Sequence, residues 1–175
     1  TYTDNWGRTR IEKALSLNDK WIEKRTDYDV LDRPYKVSEP YFSTTSPSKW
    51  TVTEYDVYGR VIKNTFPTGK IITSSYNALT ATVTDGQQTQ SITKDEWGNK
   101  IKMSDNGGVI NYTYYANGGL KSSNYAGHVI NVEQDGWGRK TKMSDPSVGG
   151  DYTYFYDGLG QLLTEENPKG KTVYV

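Results

Sequence analysis

Short runs rich in β-branched and aromatic residues recur along this chain, with rings at alternating positions. In Asp151-Tyr152-Thr153-Tyr154-Phe155-Tyr156 the tyrosines occupy every second position and so share one face of a strand. Ile110, Tyr112 and Tyr114 do the same forty residues earlier. Thr51-Val52-Thr53-Glu54-Tyr55 and Arg60-Val61-Ile62-Lys63-Asn64-Thr65-Phe66 have the composition of half-buried strands. The segment from Thr9 to Leu17 imitates an amphipathic helix through Glu12, Lys13, Ala14 and Leu15. A strand is expected there instead, with Asn18-Asp19 as a tight turn and Lys20 to Thr26 returning.

Between these runs lies a repeated punctuation, seen most fully in Tyr55-Asp56-Val57-Tyr58-Gly59-Arg60. An Asp at the first corner of a turn accepts a backbone N–H two residues on, and a Gly three residues after the Asp takes the positive φ that reverses the chain. Asp-x-x-Gly therefore predicts a type I turn with a left-handed bulge residue, closing a β-hairpin. The anchors are Asp4…Gly7, Asp29…Asp32, Asp56…Gly59, Asn77…Thr80, Asp95…Gly98, Tyr115…Gly118, Asp135…Gly138 and Asp157…Gly160. Three of the eight are degenerate, and the Asn77 unit, lacking a Gly, needs a different turn. Pro67-Thr68-Gly69 and Pro168-Lys169-Gly170 are expected to form a second kind of turn between units. Ser38-Glu39-Pro40 is expected to do related work, with a Ser/Thr-rich loop from Ser43 to Ser48. Residues 1–175 thus read as one array of about eight units and up to about sixteen strands, all-β and antiparallel. The second half is a superrepeat, since the stretch from Trp97 matches that from Trp137, each followed by a Tyr-rich strand.

Composition sharpens this picture. Hydrophobic residues are only 34% of the chain, while fifteen Tyr and five Trp supply rings with polar tips, favouring a thin sheet over a thick core. Lys plus Arg and Asp plus Glu are both 21, so no net field gathers nucleic acid or anionic lipid, and no apolar run suits membrane insertion. Cysteine is absent, which removes disulfides and thiolate metal sites. The chain begins without Met or a signal-like segment and is expected to be a fragment of a longer one.

Candidate chemistry is sparse. The repeated carboxylates have a structural reason at turn corners, whereas acid–base catalysis needs them converging on one cleft. Asp105-Asn106-Gly107-Gly108 reads as a turn, without the alternating acidic ligands of a calcium loop. His128 is the only His, so no triad or multi-His metal site can form around it, and its neighbours Ala126 and Gly127 suggest a loop. Arg8, Arg33, Arg60 and Arg139 are expected to pair with carboxylates or stack on rings across strands. No enzymatic activity, catalytic residue, metal or cofactor is expected. The residues singled out are structural: Asp4, Gly7, Asp29, Asp56, Gly59, Asp95, Gly98, Gly118, Asp135, Gly138, Asp157 and Gly160 in the turns, with Tyr55, Trp97, Tyr112, Tyr114, Trp137, Tyr152, Tyr154 and Tyr156 as repeat aromatics.

The Tyr-Asp-x-x-Gly-Arg pattern of Tyr55 to Arg60, and Tyr156-Asp157-Gly158-Leu159-Gly160-Gln161-Leu162 followed by Pro168-Lys169-Gly170, resemble the YD repeats of the RHS family. The resemblance covers essentially the whole chain. It implies an antiparallel ribbon spiralling into a hollow β shell, as in bacterial polymorphic toxins, wall-associated RHS proteins, insecticidal toxin complexes and animal teneurins. It further implies enclosure of a C-terminal toxin or effector, and a secreted or cell-surface location in bacteria. Flanking repeats and secretion machinery are the implied partners. The family's aspartyl autoprotease core has no match here, Asp145-Pro146 being part of a Lys-Met-Ser-Asp-Pro turn. The alternative is an extracellular carbohydrate-binding or adhesin module whose exposed Tyr and Trp stack on glycans.

Overall fold

A computed structural model describes residues 1–17 and 19–174. The chain divides into two compact units, Thr1–Ser75 with Val83–Thr89, and Tyr76–Thr82 with Gln90–Val175. Both are built from antiparallel strands.

The first unit carries β1 (Tyr2–Thr3), β2 (Thr9–Leu15), β3 (Trp21–Tyr28), β4 (Pro34–Ser38), β5 (Tyr41–Phe42), β6 (Trp50–Tyr55) and β7 (Val61–Thr65). β8 (Ile71–Asn77) and β9 (Thr80–Thr84) contribute residues to both units. The Thr9–Leu15 stretch is a strand, paired with β3 from Ile11 opposite Arg25 to Leu15 opposite Trp21. Helical propensity loses here because β2 has β1 as a partner as well as β3.

The second unit continues with β10 (Thr89–Lys94), β11 (Lys100–Asp105), β12 (Gly108–Tyr114), β13 (Leu120–Tyr125), β14 (His128–Gln134), β15 (Lys140–Asp145), β16 (Gly150–Tyr156), β17 (Leu162–Asn167) and β18 (Gly170–Val173). From β10 to β18 each strand pairs with the next, an uninterrupted meander. The ladder shifts register just before the turns that follow β10, β12, β14 and β16. Such bulges increase the local twist of the ribbon.

Two expectations about connections are corrected. Ser38-Glu39-Pro40 is not a turn between repeats. β5 runs against β3, with Phe42 opposite Ile22, and β6 then returns to pair with β4, with Trp50 opposite Ser38. Ser38 is buried and its Oγ accepts the Arg25 N–H at 2.8 Å, next to the point where β3 passes from β5 to β4. The side-chain oxygen replaces a missing ladder acceptor.

Of the expected Asn18-Asp19 turn, Asn18 lies outside the described residues. Ser16 N–H donates to Lys20 O at 2.8 Å, Asp19 N–H donates to Ser16 O at 3.1 Å, and Asp19 stands at φ 55°. Asp enters the left-handed region more readily than most L-residues, so it serves there in place of Gly.

Pro67-Thr68-Gly69 and Pro168-Lys169-Gly170 do not form one kind of turn. In the first, Phe66 N–H donates to Lys70 O and Gly69 N–H to Phe66 O, both at 2.9 Å, with Gly69 at φ 84°. The second is a tight two-residue loop with Asn167 opposite Gly170, and the Asn167 side chain accepts the Lys169 N–H at 2.8 Å. Asn167 can satisfy that amide and Phe66 cannot.

The Asn77 unit closes tightly between β8 and β9, with Ala78 at φ 48°. His128 is the first residue of β14, opposite Tyr125 across the Ala126-Gly127 turn, rather than inside a loop. Among the described residues Tyr154 is the only buried apolar side chain, at 9% exposure, so the sheet has rings in place of a core.

Candidate functional site: the ladder of turns

Each full Asp-x-x-Gly turn is built in the same way. At Asp56, Oδ1 accepts the N–H groups of Tyr58 and Arg60, each at 2.9 Å, and Oδ2 accepts Arg60 Nε at 2.7 Å. The backbone closes with Asp56 N–H to Arg60 O at 2.9 Å and Gly59 N–H to Asp56 O at 3.0 Å. One carboxylate therefore satisfies two turn amides and orients a guanidinium. Asp4, Asp29 and Asp135 repeat the arrangement with Arg8, Arg33 and Arg139. At Asp95 the fork is replaced by Asn99, whose Nδ2 donates to Oδ2 at 2.9 Å. At Asp157, Oδ1 accepts Leu159 N–H and Gln161 N–H.

The fourth turn residue is left-handed throughout this set: Gly7, Gly59, Gly98, Gly118, Gly138 and Gly160 lie between φ 78° and 89°, and Asp32 lies at 63°. At Gly59 the backbone, more than side-chain space, demands glycine, since a Cβ there would meet only Arg33 Nη1, at 3.7 Å. The Tyr115 turn has the same backbone bonds without an Asp, and Asn117 Oδ1 accepts Gly119 N–H at 3.0 Å.

Adjacent turns are tied together in two ways. Arg8 lies over Trp6 of its own turn at 4.8 Å and over Tyr28 of the next at 4.6 Å; Arg139 lies over Trp137 at 4.9 Å and Tyr156 at 5.0 Å. Arg33 lies over Tyr55 at 4.5 Å. Arg139 Nη1 also donates to Asp157 O at 3.2 Å, and Arg8 forms an ion pair with Asp32. The second tie is the tyrosine preceding the turn. Tyr28, Tyr55, Tyr114 and Tyr156 donate their hydroxyls to the carbonyls of Thr9, Pro34, Lys100 and Lys140, at 2.7 to 2.9 Å. Each acceptor is the fifth residue after the previous anchor. Nothing in the sequence alone names these acceptors, although the constant offset from the anchors is visible once the hydroxyl is known to reach back.

The other repeat aromatics divide by position. Tyr112 sits opposite Ser123, Tyr152 opposite Met143, and Tyr154 opposite Glu165 with Lys140 Nζ over its ring at 4.0 Å. Trp97 and Trp137 occupy turn tips, 86% and 84% exposed, and are not part of the inter-strand face.

The turn carboxylates are held charged. Arg33 pulls Asp29 below the usual carboxylate value by its side-chain and backbone hydrogen bonds. At Asp4, Asp56 and Asp135 burial opposes ionisation, but the backbone and guanidinium hydrogen bonds outweigh it and the net shift is downward. The side-chain hydrogen bond from Asn99 is the main cause of the lowered Asp95. Among the described residues no group of three or more His, Cys, Asp or Glu side chains could hold a metal. Two clefts lie along the turns. One of about 670 Å³ is lined by Asp95, Trp97, Asn99, Tyr112, Tyr114 and Asn117, among others. A smaller one of about 290 Å³ lies beside Trp137 and Arg139.

These features define an all-β array of hairpin repeats locked turn to turn by arginine and tyrosine. No family model matches the chain, and no curated protein matches it. Solved structures do. The crystal structure of TcdB2-TccC3 aligns with 98% of the chain at 16% identity and a TM-score of 0.56. The Photorhabdus luminescens Tc holotoxin pore aligns with 98% at 17% identity, TM-score 0.56. TcdB2-TccC3 without its hypervariable C-terminal region aligns with 98% at 17% identity, TM-score 0.55. The chain spans only 12–13% of the length of these structures' chains. The likeness is one of fold: the chain shares the antiparallel, all-β repeat architecture of the toxin chains it aligns with.

Proposed function

We propose that residues 1–175 are one array of YD-type units forming non-enzymatic wall of a secreted or cell-surface bacterial RHS protein, whose shell encloses a C-terminal toxin or effector. The observation that carries this reading is the use of the turn groups. At the Asp4, Asp29, Asp56 and Asp135 turns the carboxylates and guanidinia that could serve chemistry are spent within the turn and on its neighbour, which leaves a surface suited to enclosure. The fold likeness to Tc toxin chains over 98% of the sequence supports the same reading. All four residues of β18 are exposed, which suits the addition of further strands from flanking repeats. Secretion machinery is the remaining proposed partner.

The test is protease protection in the full-length protein. The segment following the repeats should survive digestion at protease levels that degrade it when produced alone. Equal degradation in both forms would overturn enclosure.

One observation favours a second reading. Trp6, Tyr58, Trp97 and Trp137 present rings at turn tips with 78% to 86% exposure, as a glycan-stacking module would. Three of these rings have an arginine from their own turn over one face, which leaves less of each for a sugar. Specific signals on a glycan array, abolished by Trp97→Ala and Trp137→Ala, would establish this reading over the first.

A further inference from the structure

The turn ladder contains one position where the host site for a guanidinium is complete and the guanidinium is missing. At the Asp4 and Asp135 turns, a carboxylate, a tip tryptophan two residues later and the tyrosine of the next repeat surround the arginine four residues after the Asp. The Asp95 turn keeps all three host groups: Asp95, Trp97 and Tyr114. Tyr114 is held as its counterparts are, with its hydroxyl on Lys100 O at 2.8 Å, against 2.9 Å for Tyr28 on Thr9 O and 2.8 Å for Tyr156 on Lys140 O. At the arginine position stands Asn99, which takes one acceptor site of Asp95 Oδ2 through its Nδ2 at 2.9 Å and is too short to reach between the two rings; at Asp4 the same oxygen accepts both Nε and Nη2 of Arg8, so a second donor can still be taken.

The volume follows the substitution. The cleft bordered by Asp95, Trp97 and Tyr114 is about 670 Å³, whereas about 290 Å³ remains beside Arg139. Among the described residues Asp95 has no ion-pair partner, while Asp4, Asp29, Asp56 and Asp135 each have one. Lys121 lies over Tyr115 at 5.8 Å. Burial pushes the Tyr114 phenol up, and the neighbouring Tyr112 and Asp95 add to this.

We propose that the cleft between the Asp95 and Tyr115 turns binds the guanidinium of an arginine side chain on a peptide, stacked between Trp97 and Tyr114 and hydrogen-bonded to Asp95. A planar cation between two ring faces gains from both, and the fork matches the carboxylate edge in a way that a lysine ammonium does not. A peptide arginine is favoured over the free amino acid, whose hydrated α-carboxylate and α-ammonium the cleft would also have to accommodate.

The experiment is an NMR titration of the full chain with N-acetyl-arginine-N′-methylamide, followed at the Trp97 indole N–H and the Gly98 and Tyr115 amides. Saturable shifts at these three signals are expected, with affinity several-fold weaker for the corresponding lysine compound and for free arginine. Equal affinity for the lysine compound would overturn the guanidinium assignment, and equal or tighter binding of free arginine would overturn the peptide assignment. Asn99→Arg should fill the slot from within, raising the melting temperature and abolishing the response. A response that persists in that variant would overturn the proposal. Trp97→Ala, at an exposed tip and so without effect on folding, should weaken binding at least several-fold at the Gly98 and Tyr115 amides; unchanged affinity there would also overturn it.

Discussion

The hydroxyl of Tyr55 donates to the main-chain carbonyl of Pro34 at 2.7 Å, joining one turn to the strand that leaves the turn before it. The same ring lies under the guanidinium of Arg33, at 4.5 Å. Tyr55 is therefore both stacking platform and hydrogen-bond donor for the preceding repeat. Tyr55→Phe keeps the platform and removes the donor, leaving a carbonyl short of a partner. A loss of about 0.5–1.5 kcal/mol is expected in urea unfolding. Tyr58→Phe, at an 81% exposed tip, is the control and should be neutral. Equal effects at the two positions would deny the hydroxyl its role.

Glycine is required at the fourth turn position for its backbone. Gly59 and Gly160 stand at φ 81° and 87°. Val at either should destabilise by about 1–3 kcal/mol, because a β-branched residue resists that region. Gly158, in the same turn as Gly160, has a φ outside the left-handed region and open space where a Cβ would go. Gly158→Ala should then stabilise by about 0.4–1 kcal/mol. Thermal melts of the three variants check the contrast, and an unchanged melt for both Val variants would remove these glycines from the turn's requirements.

Arg139 makes its contacts through the planar fork. Nε reaches Asp135 Oδ2 at 2.6 Å and Nη1 reaches Asp157 O at 3.2 Å, while the guanidinium lies over Trp137 and Tyr156. Lys keeps the charge and cannot make both bonds. Arg139→Lys should cost on the order of 1 kcal/mol. Lys at position 121, lying over Tyr115 at 5.8 Å without such a fork, should tolerate Lys121→Arg with no loss, by the same denaturant measurement.

Acid should loosen the ladder. Asp4, Asp29, Asp56, Asp95 and Asp135 are all held below the ordinary value of 3.8 in the folded chain. A lowered folded pKa contributes stability that is fully present above the unfolded value and lost as pH falls through the folded one. The melting temperature should be level from pH 7 to about pH 5 and drop below about pH 4. A level melting temperature down to pH 3 would mean that these carboxylates do not hold the turns.

Much of this architecture was legible before any coordinates, and the reason is local. Alternating rings at Tyr152, Tyr154 and Tyr156 need only the two-residue period of a strand, and Asp56 with Gly59 needs only the dihedral preferences of one turn. What resisted reading was every feature set by residues some twenty positions apart. Phe66-Pro67-Thr68-Gly69 and Asn167-Pro168-Lys169-Gly170 share a pattern yet close differently, Thr65 lying opposite Ile71 in one and Asn167 opposite Gly170 in the other. The crossing of β5 to β3 depends on Ser38 meeting Arg25. Sequence by itself determined that this chain is a run of hairpins punctuated by Asp and Gly, since backbone conformation there is dictated by the residue in place. Only the tertiary structure decided which carbonyl each tyrosine reaches, which rings each arginine covers and where Asn99 leaves a gap, because strand register brings those groups together.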